Sequence, residues 1–221
     1  MITVHHLGNS HSHVVLWLME ELGAPYELVR HERDPQTGRA PDSLRAIHPA
    51  GKAPTIVDHG LAMIESAGVV LYLLDAYGEG RLRPAPNTPE AMTFFQWLTY
   101  IEGSAKAPLM QLFGVDHLPA DNPGRRHVEH AAATAFGLLD AALEGQETLV
   151  TGQFTAADIQ LAFFEELMEA WGRIGPYPNL QRHLGLMRER QGYRRAEARG
   201  GPVGQKALFE RILSRRVASG G

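Results

Sequence analysis

Apolar and polar positions change rhythm along the first half of the chain. Ile2-Thr3-Val4-His5-His6-Leu7 partly alternates, as a half-buried strand does. His13–Leu22 is densely apolar and long enough for a helix, and Ser10 or Ser12 before it can cap its free N–H groups. Gly23 ends that helix and Pro25 blocks its continuation. Tyr26–Arg30 reads as strand again, so the order predicts a parallel pair with a right-handed crossover. After a polar, irregular stretch with a short helix around Pro41–Ile47, Thr55–Asp58 and Leu61–Ile64 flank His59-Gly60, which predicts an antiparallel hairpin. Ala67–Tyr77 then carries Val69, Val70, Leu73 and Leu74 at helical spacing.

Pro84, Pro86 and Pro89 mark a linker, and beyond them the pattern is helical throughout. Phe94, Leu98, Ile101, Ala105, Leu109 and Leu112 form the stripe of one predicted helix from Glu90 to Phe113. A second is predicted over Arg125–Leu143, with Ala131, Ala135, Leu138 and Leu139 as its seam. Thr155-Ala156-Ala157-Asp158 has the form of a capping box, with Asp in place of Glu or Gln. Ile159–Trp171 behind it is apolar on most sides and is expected to be buried. A last helix is predicted from Tyr177-Pro178 to near Gly192. The expected organisation is an α/β domain over 1–80, an all-helical domain over 88–200, and a basic tail or appended helix over 201–221, the helix spanning Val203–Arg216.

Composition narrows the chemistry. The 221 residues include no cysteine, which removes disulfides, thiolate metal ligands and any enzymic thiol nucleophile. Sulfur chemistry would need a ligand's sulfur. A net charge of −4 gives no general attraction for nucleic acid, and the Arg-rich segment from Arg173 to Arg216 reads as a solvated helical face plus tail. No apolar run approaches the roughly 18 residues of a membrane span, and Met1-Ile2-Thr3-Val4-His5 has no secretory pattern, so a cytoplasmic protein is expected. His5, His6, His11 and His13 raise the question of a metal. Adjacent strand residues point to opposite faces, so His5 and His6 do not easily share an ion, and no metal is expected.

Four local motifs occur in order. Asn9-Ser10 precedes the first helix; Ile47-His48-Pro49-Ala50-Gly51-Lys52-Ala53-Pro54 precedes the hairpin; Ile64-Glu65-Ser66-Ala67 follows it; Gly152-Gln153-Phe154-Thr155-Ala156-Ala157-Asp158-Ile159 opens the buried helix. This series resembles the cytosolic glutathione transferase family, of the serine-type, bacterial-like kind, over about residues 2–200. The resemblance implies a thioredoxin-like N-terminal domain followed by an all-helical domain, and a homodimer.

It also implies glutathione as co-substrate and a small apolar electrophile as second substrate, with glutathione conjugation as the activity. Pro54 would follow a cis bond, so that the backbone of Ala53 pairs with the ligand like an added strand. Ser66 at a helix N-terminus would attract the γ-glutamyl carboxylate, and Glu65 the ammonium. Lys52, with His48 beside it, would face the glycyl carboxylate; Lys52 could equally be solvated. Ser10 occupies the place of the family's catalytic serine, with Asn9, Ser12 and His11 as possible support; it could also simply cap the helix. Relatives often carry Arg where this chain has His11 and Val14, and His11 and His13 are candidates to replace that charge. Tyr100, Ser104 and Phe113 are candidates for the substrate cleft, and packing against a neighbouring helix is their other reading. A protein that binds glutathione without turning it over, and a glutathione-dependent peroxidase or disulfide reductase, are the alternatives.

Overall fold

The computed structural model describes residues 1–204, so the helix expected over Val203–Arg216 lies outside the described residues apart from its first two positions. The chain divides into two compact units: Met1–Arg83 with the chain from Met187 on, and Pro84–Leu186.

The first unit is a four-stranded sheet in the order β2-β1-β3-β4, with β1 at Ile2–Leu7, β2 at Tyr26–His31, β3 at Thr55–Asp58 and β4 at Leu61–Ile64. Helix α1 (Ser12–Leu22) makes the crossover between parallel β1 and β2, and Gly23 ends it at φ 62°. Strand β3 runs antiparallel to both β1 and β4. His59 and Gly60 both have positive φ, as the tight hairpin turn requires. Helices α2 (Asp42–Ile47) and α3 (Ser66–Tyr77) complete the thioredoxin-like arrangement. Val4, Val14, Trp17, Leu18, Ile56, Val70 and Leu73 are buried in its core. Asp58, also buried, ties β3 to α3 by accepting from Tyr72 at 2.7 Å and Tyr77 at 2.5 Å.

The second unit is all-helical: α4 (Pro89–Tyr100), α5 (Lys106–Val115), α6 (Pro123–Ala142), α7 (Ala156–Ala170) and most of α8 (Pro178–Glu189). Thr88 caps α4, with Pro89 in the first turn. Thr155 and Asp158 make a reciprocal capping box, and every residue from Ala156 to Met168 is buried. Among the described residues no helix is long and apolar enough to cross a membrane.

Three sequence expectations need correction. The helix from Glu90 to Phe113 is interrupted by a π-turn over Ile101–Ala105, where the Lys106 N–H reaches back to the Ile101 carbonyl. The seam of α6 is Ala132, Ala135, Phe136 and Leu139, while Leu138 is 48% exposed. One residue rotates a helix by about 100°, which carries Leu138 off the face shared by Ala135 and Leu139. The last helix ends at Glu189 rather than Gly192; Arg190 is extended (ψ 139°), and a further helix, α9 (Gln191–Gly200), begins after it. Helix α9 packs on α1 in the first unit, where Arg190 pairs with Glu21 and Arg195 and Arg199 pair with Glu20.

Candidate active site

Sheet topology gathers the N-terminal motifs. Thr55 pairs with Ile64 on one side and with His5 on the other. The residues before β3, after β4 and after β1 therefore leave the same end of the sheet. Those residues are 52–54, 65–66 and 8–12.

The Ala53–Pro54 peptide bond is cis. Ala53 is half-buried and, among the described residues, uses neither its N–H nor its C=O in a hydrogen bond, while Pro54 is buried. The Lys52 carbonyl accepts from Thr55 Oγ1 at 2.6 Å; its side chain is exposed, with no ion pair among the described residues. His48 is half-buried and its Nδ1 accepts from the Ala50 N–H at 3.2 Å.

Glu65 and Ser66 differ from an ordinary capped start. Glu65 is the N-cap residue of α3 at φ 78°, ψ 111°, its side chain exposed and making no capping bond. Ser66 is buried and is the first helical residue. The first bond back is Val69 N–H to the Glu65 carbonyl at 2.8 Å, so the N–H groups of Ser66, Ala67 and Gly68 have no partner among the described residues. Uncapped N–H groups at the positive end of a helix dipole form an anion site.

Ser10 is half-buried at the entry of α1. Its Oγ donates to the Leu7 carbonyl at 2.6 Å or to Ser12 Oγ at 2.8 Å, and it accepts from the Ser12 N–H at 3.3 Å. Ser12 is wholly buried and lies 2.8 Å from His6 Nδ1. Asn9 is buried with φ 56°, and its Oδ1 accepts from the Gly204 N–H at 2.8 Å. His11 is half-buried at the N-cap position of α1 without capping it. His13 does not replace the missing cation. Burial, and then repulsion from His6, pushes its imidazole down to about 3, so it is neutral at physiological pH.

Sequence reasoning missed Arg33. Its guanidinium donates to the carbonyls of Gly8 (2.9 Å), Gly38 (3.0 Å) and Asn9 (3.0 Å) and so braces the loop that carries Ser10. Among the described residues its hydrogen-bond partners are all backbone carbonyls, so no charged mate in the sequence announces it. His5 and His6 do face opposite ways: His5 lies 3.0 Å from His31, whereas His6 faces Ser12 and the Gly200 carbonyl.

In the helical unit Tyr100 is half-buried just before the π-turn, and Ser104 is exposed within it. Phe113 is half-buried and packs edge-on against Trp171.

Residues 5–81 match the family model for the glutathione S-transferase N-terminal domain. The chain is 28% identical to glutathione S-transferase 3 of Schizosaccharomyces pombe over 209 residues, covering 86% of this chain and 84% of that protein. It shares the fold of a sphingomonad glutathione S-transferase solved with glutathione, at TM-score 0.73 and 20% identity, over 90% of this chain and 98% of that one. A crystal structure of a glutathione S-transferase from Actinobacillus pleuropneumoniae superposes with TM-score 0.86 at 31% identity, over 96% of this chain and 99% of that one. Full-length similarity at that identity, joined to the gathered motifs, places this chain in the glutathione S-transferase family of enzymes.

Proposed function

We propose that the protein conjugates the thiolate of glutathione to small apolar electrophiles. The uncapped start of α3 carries this reading: three N–H groups without partners among the described residues, beside a strained Glu65, at the same sheet end as the Ala53 backbone, which is likewise unpaired among those residues. Glutathione is zwitterionic at its γ-glutamyl end. Its carboxylate takes the N–H groups and hydroxyl of Ser66, and Glu65 takes its ammonium. The cysteinyl backbone pairs with Ala53 next to Pro54 as an added strand. The exposed Lys52 amine and His48 serve the glycyl carboxylate.

A free thiol has a pKa near 8.5, so only about a few per cent is thiolate at pH 7. Ser10 at the entry of α1 supplies a hydroxyl to the sulfur and lowers that value. Asn9, Ser12 and His11 support it. Tyr100 and Ser104 contact the apolar substrate, and Phe113 contributes through its packing on Trp171. A homodimer in the cytoplasm is the expected setting.

The test is a pH titration of the thiolate ultraviolet absorbance of bound glutathione, with calorimetry to establish occupancy. A bound thiol pKa about a unit or more below the free value, raised again in Ser10→Ala with affinity retained, is expected. Binding with an unshifted pKa would instead identify a glutathione-binding protein without turnover. Turnover of peroxides or disulfides in place of carbon electrophiles would assign the same thiolate to reduction.

A further inference from the structure

The Ser10 hydroxyl is one end of a hydrogen-bonded chain that runs into the first unit. Ser10 Oγ lies 2.8 Å from Ser12 Oγ, Ser12 Oγ lies 2.8 Å from His6 Nδ1, and His6 Nε2 lies 2.9 Å from the Gly200 carbonyl. Ser12 is 0% and His6 3% exposed.

The far end sets the direction of the bonds made by His6 and Ser12. A carbonyl only accepts, so His6 Nε2 carries a hydrogen and donates it. Burial, with Arg30 and Arg33, holds the imidazole below its ordinary value against the Gly200 carbonyl and Glu32, and His13 near it is neutral too. A neutral ring protonated at Nε2 presents a lone pair at Nδ1. Ser12 therefore donates to His6 and accepts from the Leu7 N–H at 3.1 Å, which leaves its second lone pair facing Ser10. The single hydrogen of Ser10 points inward, with the Leu7 carbonyl at 2.6 Å and Ser12 Oγ at 2.8 Å as its two acceptors, and the relay runs through the rotamer that faces Ser12. One Ser10 lone pair takes the Ser12 N–H, and the other remains for a ligand. In this state Ser10 is an acceptor, the wrong polarity for holding a thiolate and the right one for receiving a thiol proton.

We propose that His6 is the positioning residue and proton acceptor of a Ser10–Ser12–His6 relay that carries the glutathione thiol proton inward. This rests on the role given to Ser10 above. The S–H bond breaks and its proton moves to Ser10 Oγ, while the bonding electron pair stays on sulfur. The original hydrogen of Ser10 moves to Ser12, and that of Ser12 to His6 Nδ1. The products are one thiolate, one imidazolium and two neutral hydroxyls. Both hydroxyls have reversed, so Ser10 now donates to sulfur. The imidazolium donates from both nitrogens, to Ser12 and to the Gly200 carbonyl.

A cleft of about 380 Å³, lined in part by His6, Gly8, Asn9, Arg33 and Gly200, gives the proton an exit to solvent once sulfur has bonded to carbon. Gly200 is what lets α9 approach: a Cβ there would lie 3.0 Å from His6 Nε2 and 2.8 Å from Leu16 Cδ1.

The experiment is the thiolate titration on wild type, Ser10→Ala, Ser12→Ala, His6→Gln and Gly200→Ala, with glutathione Kd and thermal midpoint measured for each. Ser12→Ala and His6→Gln should each raise the bound thiol pKa by about one unit, about tenfold less thiolate near neutrality, with Kd unchanged. A variant carrying both Ser12→Ala and His6→Gln should go no further than either single one, as links of one chain do. A structural role alone would move the midpoint or Kd and leave the thiol pKa in place. Gly200→Ala displaces the ring from the helix side and should shift the pKa the same way, which keeps the idea testable if the buried variants do not fold. If Ser10→Ala raises the pKa and the folded relay variants do not, the relay is overturned and Ser10 acts alone. No shift in Ser10→Ala, or no binding by the wild type, overturns the serine's role and the relay together.

Discussion

Glu65 holds its backbone at φ 78°, ψ 111°, outside the wells open to a residue with a Cβ. Such a conformation costs about 1–3 kcal/mol and persists where the surroundings impose it. Glycine there removes the steric cost and also the carboxylate. Glu65→Gly should therefore raise the thermal midpoint while weakening glutathione binding by about tenfold or more, the size expected for a charge-assisted hydrogen bond. Calorimetry on a more stable variant with unweakened binding would take Glu65 out of the site. Ala53-Pro54 and Glu65-Ser66 stand out in the sequence as contiguous pairs that resemble the family's motifs, although nothing in a glutamate's residue type announces φ 78° at Glu65. His6 stands out only as one of four clustered histidines, and the proton-accepting role proposed for it depends on a carbonyl 194 positions away. Arg33 was hidden for the same reason, since backbone carbonyls leave no trace in residue identity.

At the scale of elements, periodicity does well where a helix is regular and fails where the backbone departs from it. Phe94, Leu98, Ile101, Ala105, Leu109 and Leu112 are all buried as their spacing predicts. Yet Ile101, Ala105 and Leu109 follow each other at intervals of four. Repeated fours drift round an α-helix of 3.6 residues per turn, and the wider π-turn over Ile101–Ala105 takes up the drift. The start of α7 is the opposite case, with all its information local. Asp158 accepts from the Thr155 N–H at 2.8 Å, the Thr155 hydroxyl at 3.0 Å and the Leu149 N–H at 2.8 Å. Thr155→Ala removes the cap and should lower stability by about 1–2 kcal/mol in urea unfolding. It should leave the thiol pKa of bound glutathione alone, because the box lies in the other unit. A midpoint unchanged from wild type would show that the cap adds nothing to stability.

For the whole molecule, a large pH effect on stability is expected from His183. It is buried, lies 2.8 Å from Glu165 and 3.5 Å from Asp158. Burial alone would lower its pKa, but the two carboxylates prevail and raise it to about 10. A raised folded value means the native state holds the proton more tightly than the unfolded chain. The stabilisation is complete below the ordinary value of 6.5 and is lost as pH rises through about 10. Denaturant midpoints of wild type should therefore fall between those limits relative to His183→Gln, and parallel curves for the two proteins would disprove the ion pair's contribution. Resemblance to the family supplied the thioredoxin-like reading and the motifs assigned to the site; by itself, the sequence determined the strands, most helices and the α/β-then-helical order. Those follow from interactions within a few residues: steric preference, capping and hydrophobic period. Only the tertiary structure decided that α9 joins the sheet-bearing unit, that His13 is a neutral core residue, and which way the Ser10 hydroxyl points. Charge state and hydrogen-bond direction are set by burial and by groups that folding brings from far along the chain, and no local pattern encodes them.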